Sequence, residues 1–200
     1  SRHLAAERRS ALLPAAVAGE QVVTWAWADD HGGWDLGAGV TVEPSGAGHL
    51  LSGSRGNVAE AAQAGWLLVT ATLEGEPVQV LVPTDAPGVT VEPLAALDLA
   101  RRFASVRLDA VEVPADAVLR GGSDELWRLH RQAAVLNAAE TVGAMDELFT
   151  MTVEYAKSRT AFGRPIGSFQ ALKHLMADLA LSVEVAKAAA SAAIDAVGLD

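Results

Sequence analysis

The chain has 200 residues, 50% of them hydrophobic, which is enough for one large or two small globular domains. Its 15 basic and 25 acidic side chains give a formal charge of −10, so we expect neither nucleic acid nor a membrane as a partner. The sequence contains no cysteine, which excludes disulfides and cysteine-ligated zinc and suits a reducing, cytoplasmic location. It begins without methionine and ends inside a helical pattern, so we expect a fragment of a longer polypeptide.

Residues 1–18 predict a short helix with Pro14 near its end. From Val22 to Leu119 the apolar residues come in short, valine-rich runs separated by glycine, proline, aspartate and asparagine. Short, regularly spaced runs bounded by turn residues are typical of β-strands. This part therefore predicts a small antiparallel β-sandwich or barrel.

Beyond Ser123 the pattern becomes helical. Many helix formers and almost no turn residues continue as far as Arg159, which predicts one long helix. The segment TAFGRPIG then interrupts the pattern, and Ser168 is a candidate cap for a second helix. In that helix, apolar residues recur on one face at Phe169, Leu172, Met176, Leu179 and Val183. We expect two long antiparallel helices joined by a short loop, and hence an α+β fold.

Several common catalytic motifs are missing from the sequence. The 5 histidines are scattered, with no His-x-x-x-His pair, so no metal site is expected. The glycines match neither the dinucleotide pattern G-x-G-x-x-G nor a phosphate loop ending in Gly-Lys. No Gly-x-Ser-x-Gly elbow is present for a serine hydrolase. From residue chemistry alone, the interpretation stops at a β-domain followed by helices.

The stretch YAKSRTAFGRPIGSFQ, from Tyr155 to Gln170, carries the most specific pattern. It resembles the helix-loop-helix signature Y-A-x-x-R-x-x-F-G-x-x-I-x-x-F-Q of the acyl-CoA dehydrogenase family. Three further segments, 6–21, 49–69 and 106–119, resemble the same family in the same order. The resemblance covers nearly the whole chain.

This resemblance implies three parts for the chain. We expect the end of an N-terminal helical domain at 1–18, a middle β-domain at 19–121, and the first helices of a C-terminal helical-bundle domain at 122–200. The family uses FAD to remove two hydrogens from a CoA thioester. A base takes the α-proton while a β-hydride moves to the flavin. We therefore expect FAD, an acyl-CoA substrate, and a homo- or hetero-oligomer that builds its flavin sites between chains.

In the family, the helix-loop-helix signature reaches the FAD of a neighbouring chain. The resemblance implies that Arg159 pairs with the diphosphate, whose oxygens match the guanidinium donors. It also implies that Phe162 packs beside the adenosine half, that Gly163 lets the backbone approach, and that Gln170 hydrogen-bonds the cofactor. The alternative is structural, with Arg159 favoured by a helix C-terminus, Gly163 as a left-handed terminator and Phe162 in the core.

The β-domain departs from the family at its expected flavin contacts. Where the family carries Lys-x-Trp-Ile-Thr/Ser, this chain has Arg55, Asn57, Val58 and Ala59, so the tryptophan and hydroxyl contacts are lost. The family's Thr-Glu-Pro-x-x-Gly-Ser-Asp turn corresponds to 28–35, where two glycines can offer only backbone amides. Tryptophans in alternating strands are expected in the core.

The catalytic base is not evident in the sequence. Most of the family places a glutamate in a helix beyond Asp200, and some members place it where this chain has Ala133. Glu140 lies two turns along the same helix face, but exposed or ion-paired helical glutamates are common. The catalytic residue is left unknown.

The pattern of losses favours a partner subunit. Contacts to the chain's own flavin are degraded, whereas contacts to a neighbour's flavin are retained. Such a subunit would complete the FAD site of a different, catalytic chain, as in heteromeric dehydrogenases of bulky CoA thioesters such as sterol side-chain intermediates. The alternatives are an ordinary homo-oligomeric acyl-CoA dehydrogenase, an acyl-CoA oxidase or monooxygenase of the same fold, and a structural scaffold without flavin.

Overall fold

The computed structural model describes residues 6–29, 38–98 and 100–198. The chain divides into two compact units, Ser1–Leu126 and Trp127–Asp200. The predicted domain bounds at 18/19 and 121/122 remain predictions.

The first unit begins with helix α1 and continues as a single large sheet. Helix α1 spans Ala6–Val17 and contains Pro14. The strands are β1 (Val23–Ala26), β2 (Val40–Ser45), β3 (Gly48–Ala59), β4 (Trp66–Leu73), β5 (Glu76–Pro83), β6 (Val89–Leu94), β7 (Phe103–Pro114) and β8 (Val118–Leu119). Among the described residues the sheet has the order β6-β7-β3-β2-β4-β5-β8, and β1 pairs with β4 outside that path.

Two strand pairings differ from the wholly antiparallel prediction. Strand β1 pairs with β4 in parallel from Val23↔Trp66, and β2 pairs with β4 in parallel at Thr41↔Thr72. The other pairings in this sheet are antiparallel. Strand direction depends on which distant segments meet, so valine-rich runs predicted the strands but not these two pairings.

Part of the core of the first unit is a layer of directly opposed apolar residues on β4 and β5. The buried residues Leu67, Val69 and Ala71 of β4 stand directly opposite Val82, Val80 and Val78 of β5. Side chains on directly opposed residues share one face of a sheet, so these pairs form a continuous apolar layer. Each buried valine or leucine side chain contributes about 1.5–3 kcal/mol relative to an exposed one.

The second unit contains most of helix α2 (Gly122–Ser158), whose first turns belong to the first unit. Strands β9 (Thr160–Ala161) and β10 (Arg164–Pro165), a 3-10 turn and helix α3 (Gln170–Val197) follow. An ion pair of 2.7 Å joins Asp146 of α2 to Lys187 of α3. The predicted antiparallel helix pair and its interruption are confirmed. Within the described ranges, no helix is apolar over a length that could cross a bilayer.

The less exposed face of α2 follows a three- and four-residue spacing. Its members are Gln132, Val135, Ala139, Val142, Asp146, Phe149, Val153 and Ala156. This spacing places them on one stripe of the helix, as in paired helices. From Gln132 to Ala156, the burial of α2 is therefore confined to this one stripe.

The predicted cap at Ser168 is wrong. Its hydroxyl donates to the carbonyl of Pro165 at 2.7 Å, which fixes the 3-10 turn and not the start of α3. Phe169 occupies the N-cap position, and its carbonyl accepts from the amide of Lys173 at 3.1 Å. A serine next to a proline-containing turn can bond backward as easily as forward, so residue type alone did not decide the cap.

Candidate functional site: the Arg159–Gln170 hairpin and the β3 bulge

The signature stretch folds into a tight β-hairpin between the two long helices. Ala161 pairs with Arg164, and the two residues between them, Phe162 and Gly163, have φ angles of 53° and 77°. Positive φ at both central residues defines a type I′ turn, which favours asparagine and glycine. A phenylalanine in this region is strained, and such residues cluster at ligand clamps.

Phe162 is almost completely exposed, at 95% of its accessible surface. Its ring contacts Phe169 edge to face, with ring centroids 6.2 Å apart. The alternative that places Phe162 in the core is therefore wrong for the described chain. An aromatic side chain that is both strained and exposed indicates a binding role.

Gly163 and Gly167 serve different purposes in the hairpin. Among the described residues nothing lies within 4 Å of a Cβ placed on Gly163, so the glycine is required by its φ of 77°. A Cβ on Gly167 would lie 3.0 Å from the carbonyl oxygen of Ala156. Gly167 thus lets the turn approach the end of α2, and this seats the hairpin against that helix.

Arg159 directly follows α2, and its amide donates to the carbonyl of Tyr155 at 2.8 Å. Its side chain is exposed and forms no ion pair within the described part of the chain. Gln170, the first residue of α3, is also exposed. The structure thus brings the four predicted cofactor-binding residues to one hairpin and the first turn of α3.

Sequence reasoning missed Arg164 and Phe169 as members of this cluster. The guanidinium carbon of Arg164 lies 4.2 Å from the centre of the Phe169 ring, which is a cation–π contact. The spacing between the two residues gives no helical or strand period that would pair them. Their contact depends on the turn between them, so only the folded hairpin reveals it.

Arg55 of β3, expected at the position of the family's lysine, is completely buried. Its Nε donates to the carbonyl of Thr70 at 3.0 Å, its Nη2 donates to the same carbonyl, and its Nη1 donates to the carbonyl of Ala38. The side chain therefore fixes the backbone of β4 and of residue 38 from inside the sheet.

The next residues of β3 form a bulge against β7, where the register shifts between Arg55 and Val58. Asn57 lies in this bulge with a φ of 50° and is exposed. Val58 is buried, and Ala59 accepts a hydrogen bond from the Thr24 hydroxyl through its carbonyl. The bulge thus offers a flavin ring one exposed amide and neither an aromatic ring nor a hydroxyl.

Trp25 in β1, Trp27 just after it and Trp66 in β4 were expected in the core but are half-buried. Trp25 and Trp27 have ring centroids 6.0 Å apart, and the Trp25 Nε1 donates to the Thr70 hydroxyl at 2.9 Å. Most of the predicted turn at 28–35 lies outside the described residues.

Among the residues that the structure describes, no further candidate for the catalytic base is found. Ala133 and Glu140 are both exposed on α2. His130 is 6% exposed, and burial lowers the pKa of its imidazole. Its ring contacts Trp127 edge to face, with the ring centroids 5.9 Å apart. The catalytic residue stays unknown.

Comparison with known proteins gives a consistent result. Residues 126–198 match the family model described as "Acyl-CoA dehydrogenase, C-terminal domain". A curated relative, the acyl-CoA dehydrogenase IpdE2 of Mycobacterium tuberculosis, is 46% identical over 99 residues, which are 50% of this chain and 28% of the relative. The chain thus spans about a quarter of the length of this relative.

Solved structures match over nearly the whole chain. The ChsE4–ChsE5 complex from Mycobacterium tuberculosis matches with a TM-score of 0.81 and 30% identity, over 90% of this chain and 48% of that one. A Tcur3481–Tcur3483 steroid ACAD matches with a TM-score of 0.83 and 32% identity, over 96% of this chain and 51% of that one. The sheet, the long helices and the hairpin signature agree with these matches. The chain therefore belongs to the acyl-CoA dehydrogenase family, a family of FAD-dependent oxidoreductases.

Proposed function

We propose that this chain is a partner subunit of an FAD-dependent acyl-CoA dehydrogenase and completes the FAD site of a different, catalytic chain. One contrast carries the proposal. The hairpin residues that contact a neighbour's FAD in the family are present and exposed, whereas the β3 bulge lacks the aromatic ring and hydroxyl that hold a chain's own flavin.

The hairpin fits a dinucleotide diphosphate and adenosine. Arg159 offers a planar fork of donors to phosphate oxygens, and its exposure leaves that fork accessible. Phe162 presents its exposed aromatic ring on a type I′ turn, where it can pack beside the adenosine half of the dinucleotide. Gln170, at the start of α3, can donate or accept one hydrogen bond.

The bulge does not fit the flavin ring equally well. Asn57 can form hydrogen bonds but cannot stack, and Ala59 has no hydroxyl for a polar edge. The Arg55 guanidinium donates to the backbone carbonyls of Thr70 and Ala38. The chain therefore offers more binding groups to the FAD of a neighbouring chain than to a FAD of its own.

The reaction of such an assembly is the α,β-dehydrogenation of a CoA thioester. FAD, when bound, supplies the acceptor for the β-hydride. The residues of this chain would hold and orient the dinucleotide end of the cofactor, which helps to fix its reactive ring relative to the substrate. Two named structural relatives, ChsE4–ChsE5 and Tcur3481–Tcur3483, are each assemblies of two named chains, and this supports a partner role.

Flavin stoichiometry tests the proposal. The full-length chain is purified alone and with an adjacent paralogue, and flavin is measured by absorbance after release. We expect no flavin in the chain alone and one flavin per pair of chains in the assembly. One flavin per chain in the protein purified alone would overturn the partner role and favour an ordinary homo-oligomeric dehydrogenase. Absence of flavin from both preparations would favour a scaffold.

The ordinary dehydrogenase is the second candidate. Arg55 favours it, because a basic residue is retained where the family has lysine, and its buried hydrogen bond links β3 to the backbone of β4. This candidate needs the Asn57 bulge to accommodate a flavin ring and a base supplied from outside the described residues. The stoichiometry experiment separates the two.

A further inference from the structure

A second arginine of the hairpin shares a face with Arg159. Arg164 lies directly opposite Ala161 in the β9–β10 pairing. The amide of Ile166 donates to the carbonyl of Arg159 at 2.8 Å, so the pairing continues beyond the short strands. Directly opposed residues share a face, and residues two apart along a strand do so as well. Arg159 and Arg164 therefore lie diagonally across the same face of the ribbon.

The side chain of Arg164 is oriented before any ligand arrives. Its guanidinium stacks 4.2 Å from the centre of the Phe169 ring, and Phe169 in turn contacts Phe162 edge to face. A stack of this kind restricts the rotamers of the arginine. The cost of fixing the side chain on binding is correspondingly lower.

The positive charges of the two arginines are not neutralised by ion pairs within the described part of the chain, although acidic side chains are in excess. The chain carries 25 acidic against 15 basic side chains. Among the residues that the structure describes, neither Arg159 nor Arg164 forms an ion pair, whereas Lys157 and Lys187 both do. Two like charges on one face repel each other, and an anion placed between them removes that repulsion.

We infer that Arg164 is a second binding residue for the diphosphate of the flavin dinucleotide, acting beside Arg159. The inference rests on the proposed function and extends it to a residue outside the four predicted ones. A diphosphate carries two phosphate groups, and two guanidinium forks on one face can each bind one of them. Phe169 is a positioning residue in this arrangement, because it acts through Arg164.

The test is the affinity for FAD of the assembly formed with the catalytic partner, measured over a range of NaCl concentrations. In Arg164→Gln, which keeps much of the side-chain length and removes the charge, we expect Kd to rise about 10-fold at low salt. We also expect a shallower dependence of Kd on salt, since one screened charge pair is gone. For Arg164→Lys, which keeps the charge but not the fork, we expect a Kd between those of Arg164→Gln and the wild type.

Arg131→Gln is the matched control. It makes the same change at an exposed arginine of α2. The site is 28 residues before Arg159, about 42 Å along a straight helix. We expect it to leave both Kd and the salt dependence unchanged.

The outcomes separate the inference from the proposed function. If the wild-type assembly binds no FAD, the proposed function fails. If FAD binds and Arg159→Ala weakens it while Arg164→Gln matches the wild type, only the inference is overturned. A higher Kd with an unchanged salt dependence would also overturn it, because a packing role would not alter screening.

Discussion

The Arg159–Gln170 hairpin and the β3 bulge are both irregular, but they satisfy their polar groups in opposite ways. The bulge follows Arg55, which is fully buried and bonded to backbone carbonyls on two sides. The hairpin exposes Arg159, Arg164 and Phe162, and no ion pair involves either arginine in the described part of the chain. The buried arginine next to the bulge is therefore hydrogen-bonded within the chain, whereas the hairpin side chains are available to bind a partner or cofactor. A buried, satisfied polar group contributes to folding, whereas an exposed, preorganised one contributes to binding.

The largest expected effect is on folding, through Arg55. The substitution Arg55→Met leaves the buried carbonyl of Thr70 and the carbonyl of Ala38 without these donors, so we expect the free energy of unfolding to fall by about 3 kcal/mol. Chemical denaturation followed by circular dichroism measures the change. Arg107→Met, at an exposed position of β7, is the control and should cost less than about 0.5 kcal/mol. Equal losses in both variants would contradict a structural role specific to Arg55.

The next effect is on cofactor affinity, through Arg159. In the assembly, Arg159→Ala should raise the Kd for FAD about 30- to 100-fold, because a charge-assisted pair with phosphate is lost. The exposed side chain contributes little to folding, so the midpoint of thermal unfolding of the chain alone should remain unchanged. Flavin fluorescence titration gives Kd. If Arg159→Ala lowers the unfolding midpoint but leaves the Kd for FAD unchanged, Arg159 stabilises the C-terminal end of α2 and does not bind the cofactor.

Substitution of Phe162 should affect the stability of the chain and its affinity for FAD in opposite directions. The substitution Phe162→Asn creates the Asn-Gly pair that a type I′ turn favours, so stability should stay equal or rise by about 0.5–1 kcal/mol. Loss of the exposed ring should nevertheless raise the Kd for FAD about 10-fold. Thermal unfolding and fluorescence titration measure the two effects. A loss of stability without a change in Kd would show that the ring supports the fold and not the cofactor.

The smallest effect concerns His130, which lies outside both regions. Burial lowers the pKa of its imidazole, so the folded chain favours the neutral ring. The stability contribution is complete above the unfolded pKa of about 6.5 and is lost as pH falls through the lower folded value. We expect unfolding curves between pH 7.5 and about 5 to show this loss in the wild type and less of it in His130→Asn. The exposed His174→Asn variant should behave as the wild type.

The sequence by itself determined the strands, the two long helices and the hairpin signature. Alternating valine runs and an unbroken series of helix formers act locally, so they can be recognised without knowing what they contact. The eight fixed positions from Tyr155 to Gln170 likewise identified the family. The polar chemistry of Arg159 and Gln170 could be anticipated because residue type and motif position imply it.

Only the tertiary structure decided the parallel pairings of β4, the burial of Arg55 and the stacking of Arg164 on Phe169. Each depends on which distant or turn-separated segments meet, and composition does not encode that. An arginine is an expected surface residue by type, yet Arg55 is buried because backbone carbonyls of β4 and residue 38 satisfy it. Phe162 is expected inside by type, yet it is exposed because the turn holds it at the tip of the hairpin. In both cases the surroundings, and not the residue type, set the role.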